Sequence, residues 1–286
     1  MRFRINGLKS FSELVRLEHG IMYGIGVFVG AILSGWKLSF SWPLLIGFAV
    51  AVLAEFGAFA LNDFFDIVAD TANKRTDRPI IRKDVSPDAA FIVSAASFAL
   101  ANMLAFVYLS GTAFQIVLAL SVFSVLYNAV LKNLPLVGNV FIAATMAVPF
   151  IFGSILLGAL SQPVIILSAI AFLVGIGREV MKDIEDIPGD RKVGARTLPI
   201  LIGAKNSAYV TVLCYLLGVA LSSVPFYTFF NGKILYLLVI ATDVMLVEAS
   251  FKLLGDQGIR TLRSGRKQTL YAVAVGLLAF LLAATI

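Results

Sequence analysis

Charge is scarce in this sequence. Of its 286 residues only 14% are Asp, Glu, Lys or Arg, against 59% hydrophobic, and the mean hydropathy is +0.94. That balance excludes a soluble globular domain and indicates a polytopic membrane protein. Cysteine occurs once, at Cys214, which excludes a disulfide framework and a thiolate metal centre; within a span it reads as an inert packing residue. Histidine also occurs once, at His19, so any metal must be held largely by oxygen ligands. The N-terminal stretch MRFRINGLKSFSELVRLEHG is basic but has no cleavable signal pattern, and residues Leu8 to Leu17 read as a short amphipathic surface helix.

What is abundant is apolar sequence in long runs. Nine runs are long enough to cross a hydrocarbon core of about 30 Å, at roughly 18–36, 42–62, 87–109, 113–131, 135–158, 163–181, 205–224, 233–252 and 268–286. With nine spans the termini face opposite sides. Of the 23 Lys and Arg residues, 21 fall on one face and only Lys37 and Lys233 on the other. The positive-inside rule therefore predicts a cytoplasmic N-terminus, an external C-terminus and a multi-pass protein of the cell membrane. Topology and anionic membrane lipids account for the net charge of +6 without a nucleic-acid partner.

Acid is concentrated in two places. Residues 61 to 80 read LNDFFDIVADTANKRTDRPI, and residues 182 to 200 read KDIEDIPGDRKVGARTLPI. At a constant offset of 120, Asp63, Asp66 and Asp70 align with Asp183, Asp186 and Asp190. Both copies end an even-numbered span and open a basic loop. This predicts an all-α chain forming a single domain over 1–286, with two four-helix halves (about 18–132 and 135–252) and a ninth helix added.

On a continuous helix Asn62, Asp66, Asp70 and Asp63 fall within about 100° of one another. Like charges so placed repel and call for a compensating cation. Carboxylate and amide oxygens suit a hard ion, Mg²⁺ better than Ca²⁺ where room is left for phosphate oxygens. Neighbouring basic residues point to an anionic ligand, most simply a diphosphate. In the second copy Pro188 and Gly189 predict a helix end near Ile187, with Asp190 on the following loop.

NDFFDIVAD resembles the NDxxDxxxD motif, and DIEDIPGD the DxxxD motif, of the UbiA superfamily of intramembrane prenyltransferases. The resemblance implies a helical bundle whose central cavity opens to the membrane beneath two cytoplasmic capping loops. It also implies transfer of an isoprenyl group from an allylic diphosphate to a lipophilic acceptor, with two Mg²⁺ ions as cofactor. Carried onto this chain, it makes Asn62, Asp66, Asp70, Asp186 and Asp190 metal ligands, with Asp63 and Asp183 as ligands or their orienting partners. Asp66, Asp70, Asp186 and Asp190 become the catalytic set. Diphosphate contacts are expected from Lys74, Arg78, Lys132, Arg191, Lys192 and Arg16. Tyr127 in YNAVLK resembles a family Tyr-to-Lys element, although the spacing here is YxxxxK where YxxxK is common.

Other polar residues lie inside spans. Glu55 falls on the face of Asn62 to Asp70, deeper in the bundle; it either orients an acceptor and takes its proton or bonds a neighbouring helix. Asp243 and Glu248 raise the same question, Asn139 lies at the depth of the site, and His19 reads as a packing residue. Within the superfamily, GDRKVGARTLPI and RPI look most like archaeal enzymes that add a second geranylgeranyl chain to geranylgeranylglyceryl phosphate. RLEHG in the first span keeps an aromatic, quinone-type acceptor as the alternative. A cation transporter is a remote third reading, because transporter sites lie near the midplane and both acid clusters here lie at span ends.

Overall fold

Proline and serine mark where the apolar runs become helices. In a computed structural model describing residues 3–72, 75–229 and 235–285, Pro43, Pro87 and Pro163 each occupy a first-turn position, where a missing N–H costs nothing. Ser86 and Ser110 cap the next two helices by accepting from the N–H groups of Ala89 and Ala113 at 3.3 and 3.2 Å.

The resulting order is α1 (Gly7–Val15), α2 (Leu17–Leu33), α3 (Trp42–Phe65), α4 (Ile67–Ala72), α5 (Pro87–Tyr108), α6 (Gly111–Ala129), α7 (Val137–Ile155), α8 (Gln162–Asp190), α9 (Leu198–Ile202), α10 (Ala204–Ser222), α11 (Val224–Thr228), α12 (Tyr236–Gly255) and α13 (Ile259–Thr285). Among the described residues the sole β feature is an antiparallel bridge between Ile5 and Val85.

Among the described residues seven stretches are long and apolar enough to cross a membrane: α3, α5, α6, α7, α8, α10 with α11, and α13; α1 with α2, bent by 51°, makes an eighth. The run expected at 233–252 is the helix α12, which carries Asp243, Glu248 and Lys252. The apolar windows are only 28–50% buried within the protein. Their outer faces carry exposed Leu, Phe and Val side chains, as a bundle solvated by lipid requires.

Packing is organised around α3 and α8. Helix α3 lies against α2 and α5, and α8 against α7 and α10, while α2 and α7 meet between them. That last contact depends on glycine: a Cβ on Gly30 would sit 1.9 Å from the Phe150 carbonyl oxygen, and one on Gly153 would sit 1.9 Å from that of Val27. The two backbones touch, the small-residue packing that lipid-embedded helices use in place of a hydrophobic drive.

The helix break falls in the opposite copy from the one expected. Helix α8 runs through Pro188 to Asp190, so Asp190 ends a helix and does not reach in from a loop. Proline is tolerated there because it lies in the last turn: it forfeits one hydrogen bond, and the Arg191 N–H closes the end on the Ile187 and Gly189 carbonyls. In the first copy α3 stops at Phe65, Asp66 adopts φ −88° and ψ 3°, and α4 resumes at Ile67. Bonds from Asp66 N–H to Asn62 O (2.9 Å) and Asp70 N–H to Asp66 O (2.7 Å) span the break, so Asn62 to Asp70 still share one side.

Helix α1 is the short N-terminal helix read from sequence. Its Leu14 packs with Ile80, Val85 and Ala60, and Asn6 N–H bonds Asp84 O at 2.9 Å while Ser86 N–H bonds Arg4 O at 3.0 Å. The loop after the first acid motif is thereby pinned over the ends of α2 and α3.

Candidate active site

Three elements bring cations onto the first aspartate cluster. Asp63, near the end of α3, is only 2% exposed. Its Oδ1 accepts from Arg16 Nη2 at 3.1 Å and lies 3.4 Å from Arg78 Nη1. Arg78 Nε is also 3.7 Å from Asp70 Oδ2, and Lys132 Nζ is 2.5 Å from Asp66 Oδ1. Asn62 donates to Asn128 Oδ1 at 3.1 Å, and Asn128 in turn donates to the Ser124 carbonyl at 2.9 Å. Each acid of the motif is thus paired with a cation from a different part of the chain.

Arg16 reaches Asp63 because of its backbone. It sits between α1 and α2 at φ 48°, ψ 62°, a left-handed conformation that non-glycine residues rarely adopt and that clusters at functional sites. The turn aims its guanidinium over the Phe59 ring, 4.1 Å from the centroid, where the ring face attracts a cation. His19, half-exposed, packs edge-on against the same ring at 5.3 Å and lies 3.5 Å from Glu18.

The second cluster is held differently. Asp183 accepts from Asn139 Nδ2 at 2.8 Å, which ties α8 to α7. Asp186 is exposed and makes no hydrogen bond or ion pair among the described residues, although Arg75 lies within its electrostatic reach. Glu185 points the other way, bonding Arg263 and Arg266 of α13 at 2.8 Å each, so it belongs to the framework. Tyr127 stacks on Phe141 with ring centroids 5.1 Å apart. It lies in the field of Asp66 on one side and of Lys182, Glu179 and Asp183 on the other, between the two clusters.

Outside the spans, burial raises the Asp70 carboxyl above the usual range despite the opposing Arg78 charge. Asp77 is held down at about 2 by the hydrogen bonds it accepts from Arg75, both 3.0 Å long. Asp77 serves to fix the loop carrying Arg78.

Several expected contacts are not formed. Lys74 lies outside the described residues. Arg191 and Lys192 are exposed on the 3-10 turn after α8, with no ion pair to either aspartate cluster. Glu55 makes no hydrogen bond or ion pair among the described residues; its charge faces Tyr23 and Arg16, about 16 Å along α3 from Asp66 at 1.5 Å per residue. Asp243 accepts from Ser222 Oγ at 2.9 Å, and Glu248 pairs with Lys252 at 2.6 Å; neither touches a site residue. A surface cavity of about 480 Å³ is lined by Pro43, Tyr108 and Leu160 at the far end of α3 from the aspartates. Cys214 is buried and unpaired as a disulfide.

Glu179 and Lys182 on α8, 3.8 Å apart, adjoin Asp183 and are not among the residues expected at the site. The signal was present in the 120-residue register, which sets Lys182 against Asn62 and Glu179 against Phe59.

Among the described residues no three carboxylates converge into a preformed metal cage. The site nevertheless suits a hard cation together with an anion. Asp63 Oδ2 is a buried acceptor and Arg78 Nε a buried donor, both without hydrogen-bond partners, so unmet demand of both kinds adjoins an all-oxygen ligand set.

A sequence profile described as the UbiA prenyltransferase family matches residues 24–260. The chain is 40% identical over 277 residues to a digeranylgeranylglyceryl phosphate synthase of Archaeoglobus fulgidus, covering 96% of this chain and 94% of the relative. A solved structure from work on digeranylgeranylglyceryl phosphate synthase in membranes is 29% identical, covers 97% of this chain and 98% of its own, and superposes with a TM-score of 0.81. A UbiA homolog from Archaeoglobus fulgidus bound to DMAPP and Mg²⁺ shares the fold, with a TM-score of 0.71 at 17% identity over 95% of this chain and 99% of that one.

Proposed function

The chain belongs to the UbiA prenyltransferase family, and we propose that it transfers a geranylgeranyl group from geranylgeranyl diphosphate to the free hydroxyl of geranylgeranylglyceryl phosphate. It is a prenyltransferase of archaeal lipid synthesis. The observation that carries the site assignment is the charge exchange built into the first cluster, where Arg16, Arg78 and Lys132 each rest on an aspartate within 2.5–3.7 Å. A ligand carrying divalent cations and a diphosphate offers a cation to Asp66 and Asp70 and an anion to the basic groups that now rest on them.

Asn62, Asp66 and Asp70 on one side and Asp186 and Asp190 on the other would hold two Mg²⁺ ions between the clusters. When bound, Mg²⁺ supplies positive charge where negative charge develops on the leaving diphosphate. Asp63 orients Arg16 and Arg78, and Asp183 is oriented by Asn139, so both act behind the ligands. Arg16 and Arg78, still held by Asp63, and Lys132, released by Asp66 to the metal, donate to phosphate oxygen, stabilising the leaving group as the C1–O bond breaks. Tyr127, between the clusters, presents its ring to the allylic carbon as positive charge develops there. Glu55 lines the apolar interior where the acceptor lies. Lys74, Arg191 and Lys192 remain assigned to diphosphate capture.

We further read nine crossings, with α12 as the one that carries charge, and a repeat relating α2, α3, α5 and α6 to α7, α8, α10 and α12. The matching pairs α3 with α5 and α8 with α10 support it. Both aspartate clusters and the N-terminus then face the cytoplasm. RLEHG, the basis of the aromatic alternative, has another occupation here: Arg16 serves Asp63 and Phe59, and His19 packs on Phe59.

The test is transfer of labelled geranylgeranyl by the purified full chain with Mg²⁺, offered geranylgeranylglyceryl phosphate or 4-hydroxybenzoate. Labelled diether lipid is expected, with none formed by folded Asp66→Ala or Asp186→Ala. Transfer to 4-hydroxybenzoate alone would overturn the acceptor, and near-normal rates in either variant would overturn the metal assignment.

A further inference from the structure

The repeat assigns identical acids to both halves but different residues just before them. Where the first half has the amide Asn62 and the ring of Phe59, the second has the ammonium of Lys182 and the carboxylate of Glu179. Metal binding by the second copy does not explain this exchange, because an ammonium has no lone pair for a cation and repels it.

The pair lies on the face of α8 that carries Asp183 and Asp186. Lys182 lies one turn before Asp186 and Glu179 one turn before Asp183, so both sit below the level of the metal ligands. The Lys182 side chain is 46% accessible and that of Glu179 is 17%; both charges reach Tyr127 on α6 and Asp183 on α8, and that of Glu179 reaches Tyr23 on α2. At 3.8 Å between Nζ and Oε2 the two are an ion pair too long for a hydrogen bond. Each retains hydrogen-bonding capacity of opposite sign toward the same space.

Building on the acceptor assigned above, we propose that Lys182 and Glu179 form the recognition site for a vicinal hydroxy-phosphate: Lys182 donates to the phosphate of the acceptor lipid and Glu179 accepts from the hydroxyl on the adjacent carbon. The donor diphosphate is served from the other side by Arg16, Arg78 and Lys132. Its C1 must lie below the metal ligands, toward the apolar interior, and Glu179 is at that depth. Glu55, a further turn down by the repeat register, lies alongside the chain region of the ligands. The pair therefore positions the nucleophilic oxygen and selects acceptors that carry a phosphate beside it.

The experiment measures steady-state kinetics of the full chain with geranylgeranyl diphosphate, Mg²⁺, and either geranylgeranylglyceryl phosphate or its dephosphorylated alcohol. Lys182→Met is expected to lower kcat/KM for the phosphorylated acceptor by about 10–100-fold, the scale of one charged hydrogen bond. The preference over the alcohol is lost while the donor KM stays within about twofold, and Lys182→Arg restores much of the preference. Glu179→Gln is expected to lower kcat/KM for both acceptors and keep the preference. Donor KM reports folding in each variant, and Lys182→Gln is the second neutral variant should Lys182→Met fail to fold. Retention of the phosphate preference without the lysine, or a rise in donor KM with acceptor KM unchanged, would overturn the proposal. A wild-type chain that transfers to no phosphorylated glycerol lipid would overturn the acceptor reading and this one with it, whereas normal wild-type transfer with an unaltered Lys182 variant overturns this one alone.

Discussion

Asp63→Asn separates a metal ligand from a residue that organises the basic groups. Asp63 joins α3 to the α1–α2 junction through Arg16 at 3.1 Å and to the following loop through Arg78 at 3.4 Å. At an effective dielectric of about 20, each contact contributes roughly 5 kcal/mol before desolvation, and breaking a buried pair costs about 3–5 kcal/mol net. Asparagine keeps one oxygen able to accept a charged hydrogen bond worth about 1.5–3 kcal/mol, so the expected loss is about 2 kcal/mol. For a chain of this size that lowers the unfolding midpoint by roughly 5–10 °C. The assay is thermal unfolding in detergent with and without Mg²⁺, paired with a Mg²⁺ titration of the rate. The midpoint should fall in both conditions, while the half-saturating Mg²⁺ concentration moves less than about threefold. An unchanged midpoint with a large rise in Mg²⁺ requirement would refute the reasoning and make Asp63 a ligand.

Three further outcomes follow from the same geometry. Lys132→Met removes the partner of Asp66 and a phosphate donor together, so donor KM should rise by about 10–100-fold; an unchanged donor KM would leave Lys132 as charge balance only. Gly153→Ala places a Cβ 1.9 Å from the Val27 carbonyl oxygen and should destabilise the α2–α7 contact by about 1–3 kcal/mol, with wild-type stability contradicting the close approach. Burial raises the Asp70 carboxyl, so its stabilising contribution to the metal-free fold is present at low pH and lost as pH rises through its folded value. Because a ligand must be ionised to bind, the Mg²⁺ needed for half-maximal rate should rise as pH falls through that range, and a requirement independent of pH would contradict it.

Composition and register made much of this architecture readable before any coordinates. Each long apolar run became a helix, because in lipid every backbone N–H and C=O must be satisfied within the segment. The aspartate motifs were readable because acid at a span end is costly and conspicuous. The helix break was misplaced because proline and glycine weigh more in local pattern than their position in a last turn. The left-handed turn at Arg16 left no local trace, being set by the contact of its side chain with Asp63 and Phe59 across 43 to 47 residues of sequence. Lys182 and Glu179 look like ordinary interfacial charges in a basic segment. The 120-residue register, which sets them against Asn62 and Phe59, is what singles them out.

The central claim is that two aspartate clusters on α3–α4 and α8 act together, through Mg²⁺, on an allylic diphosphate. Its most direct test is release of inorganic diphosphate from geranylgeranyl diphosphate by the purified full chain in the presence of acceptor, with Mg²⁺ and with chelator, for wild type, Asp66→Ala and Asp186→Ala. The account predicts release only from wild type and only with Mg²⁺, each single substitution being as damaging as removal of the metal. Release that persists in chelator, or that survives the loss of either aspartate, would contradict it.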